Sequence, residues 1–396
     1  MQLLPACVGP LVCTANLLPP GCPAVRVCFY ARQSEPFSPA TPGERGLGGS
    51  ESALYYLARE LASLGHEVTV LNHCGDDGGL YDGVMYLDIR RHRHRWQPLL
   101  RATPPELLVL FRRMLDVAAP LPGRVRVFWA HDFQGVSADY PRGRLARLLA
   151  IQWRRFTGPA FYRRIHYVVA VSQFLADQFR YLFRVPANKL LVMPNGVDVD
   201  MFATSGSDCR DPYRLVYTSV PDRGLDILLA RIFPAIKREI PQATLHVFSY
   251  RSLEPYRGLA ADGVVLGGSL SKSRLAQELL RSSLLVYPCT VEELGAIAVL
   301  EAMAAGVPAV TSTLGVLPEL VGDRERGIAV PGDPRTQPFA ERFVHEVVML
   351  LRQQDQLQRM RVRAQDWVRR ERSWASVARR WEATLLGGRT LLSDPT

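Results

Sequence analysis

The sequence predicts an α/β protein of two Rossmann-like domains facing each other across a cleft. Three observations carry that reading. The chain has 396 residues, more than one hydrophobic core commonly organises. Short apolar runs at 25–31, 67–72, 124–130, 167–171 and 284–287 alternate with helical patterns in both halves, as parallel sheets with helical crossovers require. Polar, glycine-bearing turns follow several of these runs, where open α/β sheets hold ligands.

The expected division follows from these patterns. Residues 1–24 form an extension, disordered or translated from a start codon placed too early. Residues 25–203 form the first domain, 204–212 a linker rich in Ser and Asp, 213–370 the second domain, and 371–396 a closing helix and tail.

Composition narrows the class. An apolar share of 47% and a charged share of 22% are those of an ordinary globular chain. The net charge is +10, carried by arginine, since Lys189, Lys237 and Lys272 are the only lysines. That balance suits anionic lipid, nucleic acid or phosphorylated substrates without choosing among them. Seven scattered cysteines with no C-x2-C pair argue against a disulfide framework or zinc site and for a reducing cytosol. No apolar run reaches the roughly 18 residues of a membrane span. The first 24 residues have no basic start and many prolines, unlike a signal peptide.

Taken in order, the first strand leads into a polar segment ending Gly46-Leu-Gly48-Gly49-Ser50-Glu51-Ser52. A helix is expected over 53–64, with Ser50 as its N-cap and Gly65 as its stop. Backbone N–H groups at Gly48 and Gly49 suit an anion or a sugar hydroxyl. The turn lacks the third glycine of a dinucleotide fingerprint and the final glycine of a nucleophile elbow. Arg90-Arg-His-Arg-His-Arg95 reads as a solvated basic loop, whose arginines would repel a metal ion. His131-Asp132 closes the strand at 124–130, at the ligand end of the sheet. Between 142 and 167, Arg144, Arg147, Arg154 and Arg155 interleave with Leu148, Trp153 and Phe156. This pattern fits a helix lying on an anionic membrane surface, and equally a helix burying its apolar stripe with arginines in water.

The second half opens with a strand over 214–217, then Thr218-Ser219-Val-Pro-Asp-Arg223-Gly224 and a helix beginning near Gly224. That makes another anion-binding end. The richest stretch comes later. An apolar strand at 284–287 ends at Pro288. An acidic turn carries Glu293, Gly295 and Ala296, and a helix from Ile297 carries Glu301 before Gly306-Val-Pro308 stops it. Eight positions place the glutamates on similar faces, roughly 12 Å apart if one helix covers both. A single ligand touching both must be extended, or Glu293 must lean out of the turn.

This stretch resembles the E-x7-E signature of retaining glycosyltransferase family 4, including the Glu-Ala-Met-Ala-Ala-Gly-Val-Pro that follows. The Gly48-Gly49 turn, the His at 131, the Pro-Asn-Gly-Val-Asp around 194–198 and the Pro-Glu-Leu-Val at 318–321 are similar to the same family. The resemblance runs from about Val25 onward. It implies the GT-B fold, metal-independent transfer, and no cofactor, so Asp198-x-Asp200 is not read as a metal-binding pair. It also implies a terminal helix near 373–381 that crosses back to the first domain.

The resemblance further implies site roles. The donor is a nucleoside-diphosphate sugar, held by Gly48, Gly49, Thr218, Ser219, Arg223, Glu293, Gly295, Ala296, Ile297 and Glu301. Glu301 meets the ribose, Glu293 the transferred hexose, and the N–H groups of Ala296 and Ile297 the phosphates. His131, Glu293 and Arg223 form the catalytic set. The family's second phosphate-binding cation falls at Thr218, so hydroxyls, helix N–H groups, Arg251 or Arg274 must replace it. The family's usual aromatic and Gly are here Gly295 and Ala296. The acceptor is a glycan or lipid-linked hydroxyl, with no nucleic acid partner. The expected location is the cytoplasm, with peripheral contact to the inner membrane face. A nucleotide-sugar-binding protein that transfers nothing, or a nucleotide-sugar epimerase of the same architecture, are the alternatives.

Overall fold

The computed structural model describes residues 24–32, 34–41, 47–132, 157–203 and 210–386. The expected extension, most of the linker, the first part of the glycine turn with Gly46, and the arginine-rich segment through Phe156 lie outside the described residues.

The first sheet has the order β3-β4-β2-β1-β5-β6-β7-β8. Its strands are β1 Arg26–Tyr30, β2 Glu67–Asn72, β3 Gly79–Tyr81, β4 Val84–Asp88, β5 Leu107–Phe111, β6 Val125–Ala130, β7 Tyr167–Ala170 and β8 Leu190–Val192. Among the described strands, only β3 runs antiparallel to its neighbour, in a hairpin with β4. The chain leaves β1 toward β2 on one side and returns to β5 on the other, so the direction of winding reverses between β1 and β5. The central strand β5, Leu-Leu-Val-Leu-Phe, is buried along its whole length. An unbroken apolar run is what a parallel strand covered on both faces demands.

The second sheet is parallel, in the order β11-β10-β9-β12-β13-β14. Its strands are β9 Arg214–Tyr217, β10 Thr244–Phe248, β11 Val264–Gly268, β12 Leu284–Tyr287, β13 Ala309–Ser312 and β14 Gly327–Val330. The helix after β9 spans residues 225–239 and contains a π-helical turn at Leu228–Ile232. Helices Gln337–Arg352 and Gln354–Trp367 cover this domain.

The chain then returns to the first domain. Val197 N–H donates to the Arg372 carbonyl at 2.7 Å, and Trp374 N–H to the Val197 carbonyl at 3.3 Å. Helix Trp374–Trp381 is capped by Ser373, whose Oγ accepts from Ser376 N–H. It buries Trp374, Val377, Ala378 and Trp381 in the core of the first domain. Trp381 meets Trp129 of β6 edge-on, with ring centroids 5.0 Å apart.

Two local expectations are corrected. The first helix is Gly49–Ser63, with Gly48 rather than Ser50 at the N-cap. Arg90–Arg95 is not all loop: Arg93 begins a helix, Arg93–Ala102. Asp88, just before this run, orders the entry. Its Oδ1 accepts from the N–H groups of Arg90 and Arg91, and His92 Nδ1 accepts from Asp88 N–H.

Candidate active site

Glu293 is a buried acid of the second domain, fixed through both its backbone and its carboxylate. It lies in the turn ahead of helix Ile297–Ala304, not on it, and is 6% exposed. Its backbone bridges to Gly315, and Val316 N–H donates to its carbonyl at 2.7 Å. Gly315 has φ +65°, and a Cβ there would sit 2.0 Å from that carbonyl oxygen. Only glycine fits so close an approach. The turn is thereby pinned to the start of β13's following loop.

The Glu293 carboxylate accepts from Arg223 Nη1 and the Tyr287 hydroxyl through the same oxygen, Oε1. Burial opposes the Arg223 charge, but Glu293, with Tyr287 and Cys289, outweighs it and raises the pKa. Burial, then the Glu293 charge, pushes the Tyr287 phenol well above its usual range. Tyr287 therefore stays protonated and donates to the carboxylate, which leaves Ser219 Oγ to donate to the Tyr287 oxygen over 3.1 Å. Arg223 is aimed by Gly224 (φ +97°), where a Cβ would meet the Pro288 carbonyl at 2.2 Å. The resemblance assigns Glu293 to the transferred hexose and Arg223 to the adjoining diphosphate; the structure joins the two side chains directly. Tyr287 was missed as a site residue, although it ends the very strand that leads to Glu293.

Glu301 is 9% exposed and accepts from Lys272 Nζ. Lys272 begins helix Lys272–Leu280 and was not foreseen at the site. Arg251, one expected substitute for the absent cation, is exposed and lies 3.9 Å from Asp222. Thr218 Oγ1 is buried with no hydrogen-bond partner. Ala296, where the family resemblance expects Gly, caps the Glu301 helix in the left-handed region, at φ 37° and ψ 53°.

Across the cleft, His131 follows β6 and is 7% exposed. Its ring packs against Trp129 and Phe111, with centroids 4.5 and 5.0 Å away. Burial, then the Arg112 charge, pushes its pKa well below the ordinary imidazole range. The ring is neutral, and its Nε2 has no hydrogen-bond partner. Arg112, at φ +63° after β5, donates to Asp132 at 2.6 and 3.0 Å and to buried Glu51 at 3.0 Å. This network ties the glycine-turn helix to the ends of β5 and β6. Gly49 faces the Ile297 side chain, 3.6 Å from where its Cβ would lie. The glycine turn and the Glu301 helix therefore meet. Among the described residues, no hydrogen bond or ion pair joins His131 to Glu293, Arg223 or Glu301.

One further contact closes the cleft from the second domain. Glu319, in helix Leu317–Val321, accepts from Gln173 and Phe174 N–H at 3.2 and 2.8 Å. These are the first two residues of helix Gln173–Phe183. Asp198 pairs with Arg59 at 3.4 Å, an occupation that suits a structural acid.

Two parallel-sheet domains with ligand-type turns opposed across a cleft define a GT-B protein. Residues 47–201 match Glycosyltransferase Family 4, and residues 213–351 match Glycosyl transferases group 1. The chain belongs to this family 4, group 1 class of glycosyltransferases. Solved structures share the whole fold. A glycosyltransferase from Rickettsia africae ESF-5 superposes with a TM-score of 0.70 at 12% identity, covering 94% of this chain and 100% of that one. A sucrose-phosphate synthase from Thermosynechococcus elongatus gives 0.67 at 17%, covering 91% and 98%. A GDP-mannose-dependent alpha-(1-6)-phosphatidylinositol monomannoside mannosyltransferase of Mycobacterium tuberculosis is 30% identical over 235 residues, 53% of this chain. That match takes in 59% of the relative's length. Among the described residues, no helix is long and apolar enough to cross a membrane.

Proposed function

We propose that this chain is a retaining hexosyltransferase, moving a hexose from a nucleoside-diphosphate sugar to a hydroxyl of a saccharide or lipid-linked acceptor in glycoconjugate synthesis. The observation that carries this reading is the Arg223–Glu293 pair, set by Gly224 and Gly315 beside the start of the Glu301 helix. The relative that uses GDP-mannose makes that donor the first to try.

Glu301 would accept hydrogen bonds from the ribose hydroxyls, its carboxylate being acceptor-only, with Lys272 fixing its rotamer. The diphosphate would lie near the Ala296 and Ile297 N–H groups and draw on Arg223, whose second Nη is not committed to Glu293. As the C1–O bond to phosphate breaks, negative charge grows on the leaving phosphate, where Arg223 and the helix N-termini stabilise it. The acceptor oxygen bonds to C1 on the same face, and its proton passes to a phosphate oxygen. Glu293, already oriented by Tyr287, would take hydroxyls of the hexose. His131 enters as a neutral, buried ring at the reacting face, not as a general base.

Thr218 supports a second reading, a nucleotide-sugar-binding protein that transfers nothing, because the phosphate site has one fewer cation. A donor assay separates the two. Incubation with GDP-, UDP- and ADP-hexoses and mixed acceptors should release nucleoside diphosphate. Glu293→Ala should lower turnover at least 100-fold, on the scale of losing an electrostatic transition-state contact, with nucleotide affinity kept within a few fold. Nucleotide binding without turnover of any donor would defeat the transferase reading. Equal loss of binding and turnover in the variant would show that Glu293 does not hold the sugar.

A further inference from the structure

Lys272 is one of three lysines in a chain whose 48 basic residues are otherwise arginine. The other two hold the main chain: Lys189 Nζ donates to the Tyr162 and Ile165 carbonyls, and Lys237 Nζ to that of Ala243. Lys272 is placed differently. It opens helix Lys272–Leu280, whose first turn holds no acid and whose N-cap, Ser271, makes no side-chain capping bond. A cation there faces the positive end of the helix dipole, so the helix gains nothing from it. Its partner lies outside the helix. Among the described residues its side chain makes one hydrogen bond, to Glu301 Oε1. The lysine's helix follows β11 and the glutamate's follows β12, with β10 and β9 between them in the sheet. Both helices start from the carboxyl ends of parallel strands, where such sheets hold ligands.

The pair is covered but not sealed, the side chains being 15% and 11% exposed. An ammonium has three N–H donors and no acceptor, and a carboxylate has acceptors only. One N–H of Lys272 is engaged on Oε1, which leaves two. Glu301 Oε2 takes no hydrogen bond among the described residues. The pair therefore offers free donors and a free acceptor side by side. A hydroxyl needs both, since its oxygen accepts and its proton is given. Arginine would fork onto both carboxylate oxygens. The compact ammonium covers one and leaves the other open.

We propose that Lys272 is a specificity-determining residue of the donor site: it donates to the oxygen of a ribose hydroxyl whose proton goes to Glu301, so that the two side chains together read the ribose diol. The assignment rests on the transferase reading for the placement of ribose at Glu301. A 2′-deoxyribose supplies neither the oxygen nor the proton. It leaves an ammonium and a carboxylate each short of a partner, which is how a polar site rejects an analogue lacking one hydroxyl.

The test is calorimetry on the full chain with GDP, UDP and ADP, each beside its 2′-deoxy form. The nucleotide that binds should do so about tenfold or more tightly in the ribo form. Lys272→Met should cut that preference to about threefold or less and raise the donor KM about tenfold, with kcat nearly unchanged. If this variant, which leaves Glu301 unpaired, fails to fold, Lys272→Met in a Glu301→Gln background carries no unpaired charge and is compared with Glu301→Gln alone. That comparison also separates contact from orientation, because no carboxylate remains for the lysine to orient. A further loss of about threefold or more, confined to the ribo form, is expected. No further loss would assign Lys272 to steering Glu301 alone and overturn the contact. Equal weakening of ribo and deoxy forms, or binding of none of the three nucleotides, overturns it too. Failure of the two readings is distinguishable. Donor turnover with a ribose preference indifferent to Lys272→Met removes the lysine's role and leaves the transferase. A lysine-dependent ribose preference without turnover of any nucleotide sugar leaves the lysine's role and removes the transferase.

Discussion

At the scale of single residues, Ala296 illustrates a backbone demand met by the wrong side chain. Its left-handed conformation costs a Cβ-bearing residue about 1–2 kcal/mol, and the turn tolerates it because Glu293 and Gly315 fix the loop on one side and the helix on the other. Ala296→Gly should stabilise the protein by about 1 kcal/mol, less some entropy lost by the new glycine. A urea melt with unchanged slope checks this; a destabilised variant would mean the methyl group packs against the second core more than it strains.

His131 gives a pH prediction. Its pKa is lowered on folding, so the unfolded chain binds more protons as pH falls below the free imidazole value of about 6.5. Stability is therefore full above that pH and lost as pH falls toward the depressed native pKa. His66 and His166 are also lowered, in each case chiefly by burial, so the slope is shared. His131→Leu should flatten the loss of stability between pH 7 and 5, read from denaturant midpoints at each pH. An unchanged slope would assign the effect to the other histidines.

At the scale of elements, the contact between Glu319 and helix Gln173–Phe183 is a carboxylate at a helix N-terminus. Ser172 already caps that helix through Leu175 N–H, so Glu319 satisfies two of the remaining free donors. An exposed interaction of this kind contributes about 0.5 kcal/mol. Its consequence is positional, because the acid and the helix belong to different domains. Glu319→Ala should barely change the melting temperature while widening the cleft, seen as a larger radius of gyration in solution scattering.

Elements also show what a sequence displays and conceals. β12 is legible because Leu-Leu-Val-Tyr ends at a proline, and the Glu301 helix because good formers end at Gly306. Helix Arg93–Ala102 is concealed by its Arg-His start and by Pro98 within it. The signal available was Trp96 and Leu100, four apart and buried on one face. β5 is equally readable as an apolar run, Leu-Leu-Val-Leu-Phe. The Glu51–Arg112–Asp132 network is a different case. Its members come from three separate connections, and local periodicity carries no information about which strand ends meet. The same holds for Lys272 and Glu301, 29 positions apart, where only the sheet order brings the lysine to the acid.

At the scale of the molecule, the returning helix makes the two domains interdependent. Trp381 is fully buried against the first core, and large aromatic truncations in such settings cost about 3–5 kcal/mol. Trp381→Ala should lower stability by about that amount. Because the tryptophan completes the first domain, unfolding should remain a single transition when followed by both circular dichroism and tryptophan fluorescence. Separation into two transitions, with the second domain unaffected, would show that the helix is merely laid on the surface.

The same feature bears on the order of synthesis. Domains ordinarily fold as they emerge, the N-terminal one first. Here a nascent chain that stops before Trp374 has every strand of the first sheet but lacks the helix that covers Trp129. Its apolar face waits for residues translated only after the whole second domain. The first domain is thus the earlier to be made and the later to be finished, and a chaperone would find its binding surface on that uncovered β6 side.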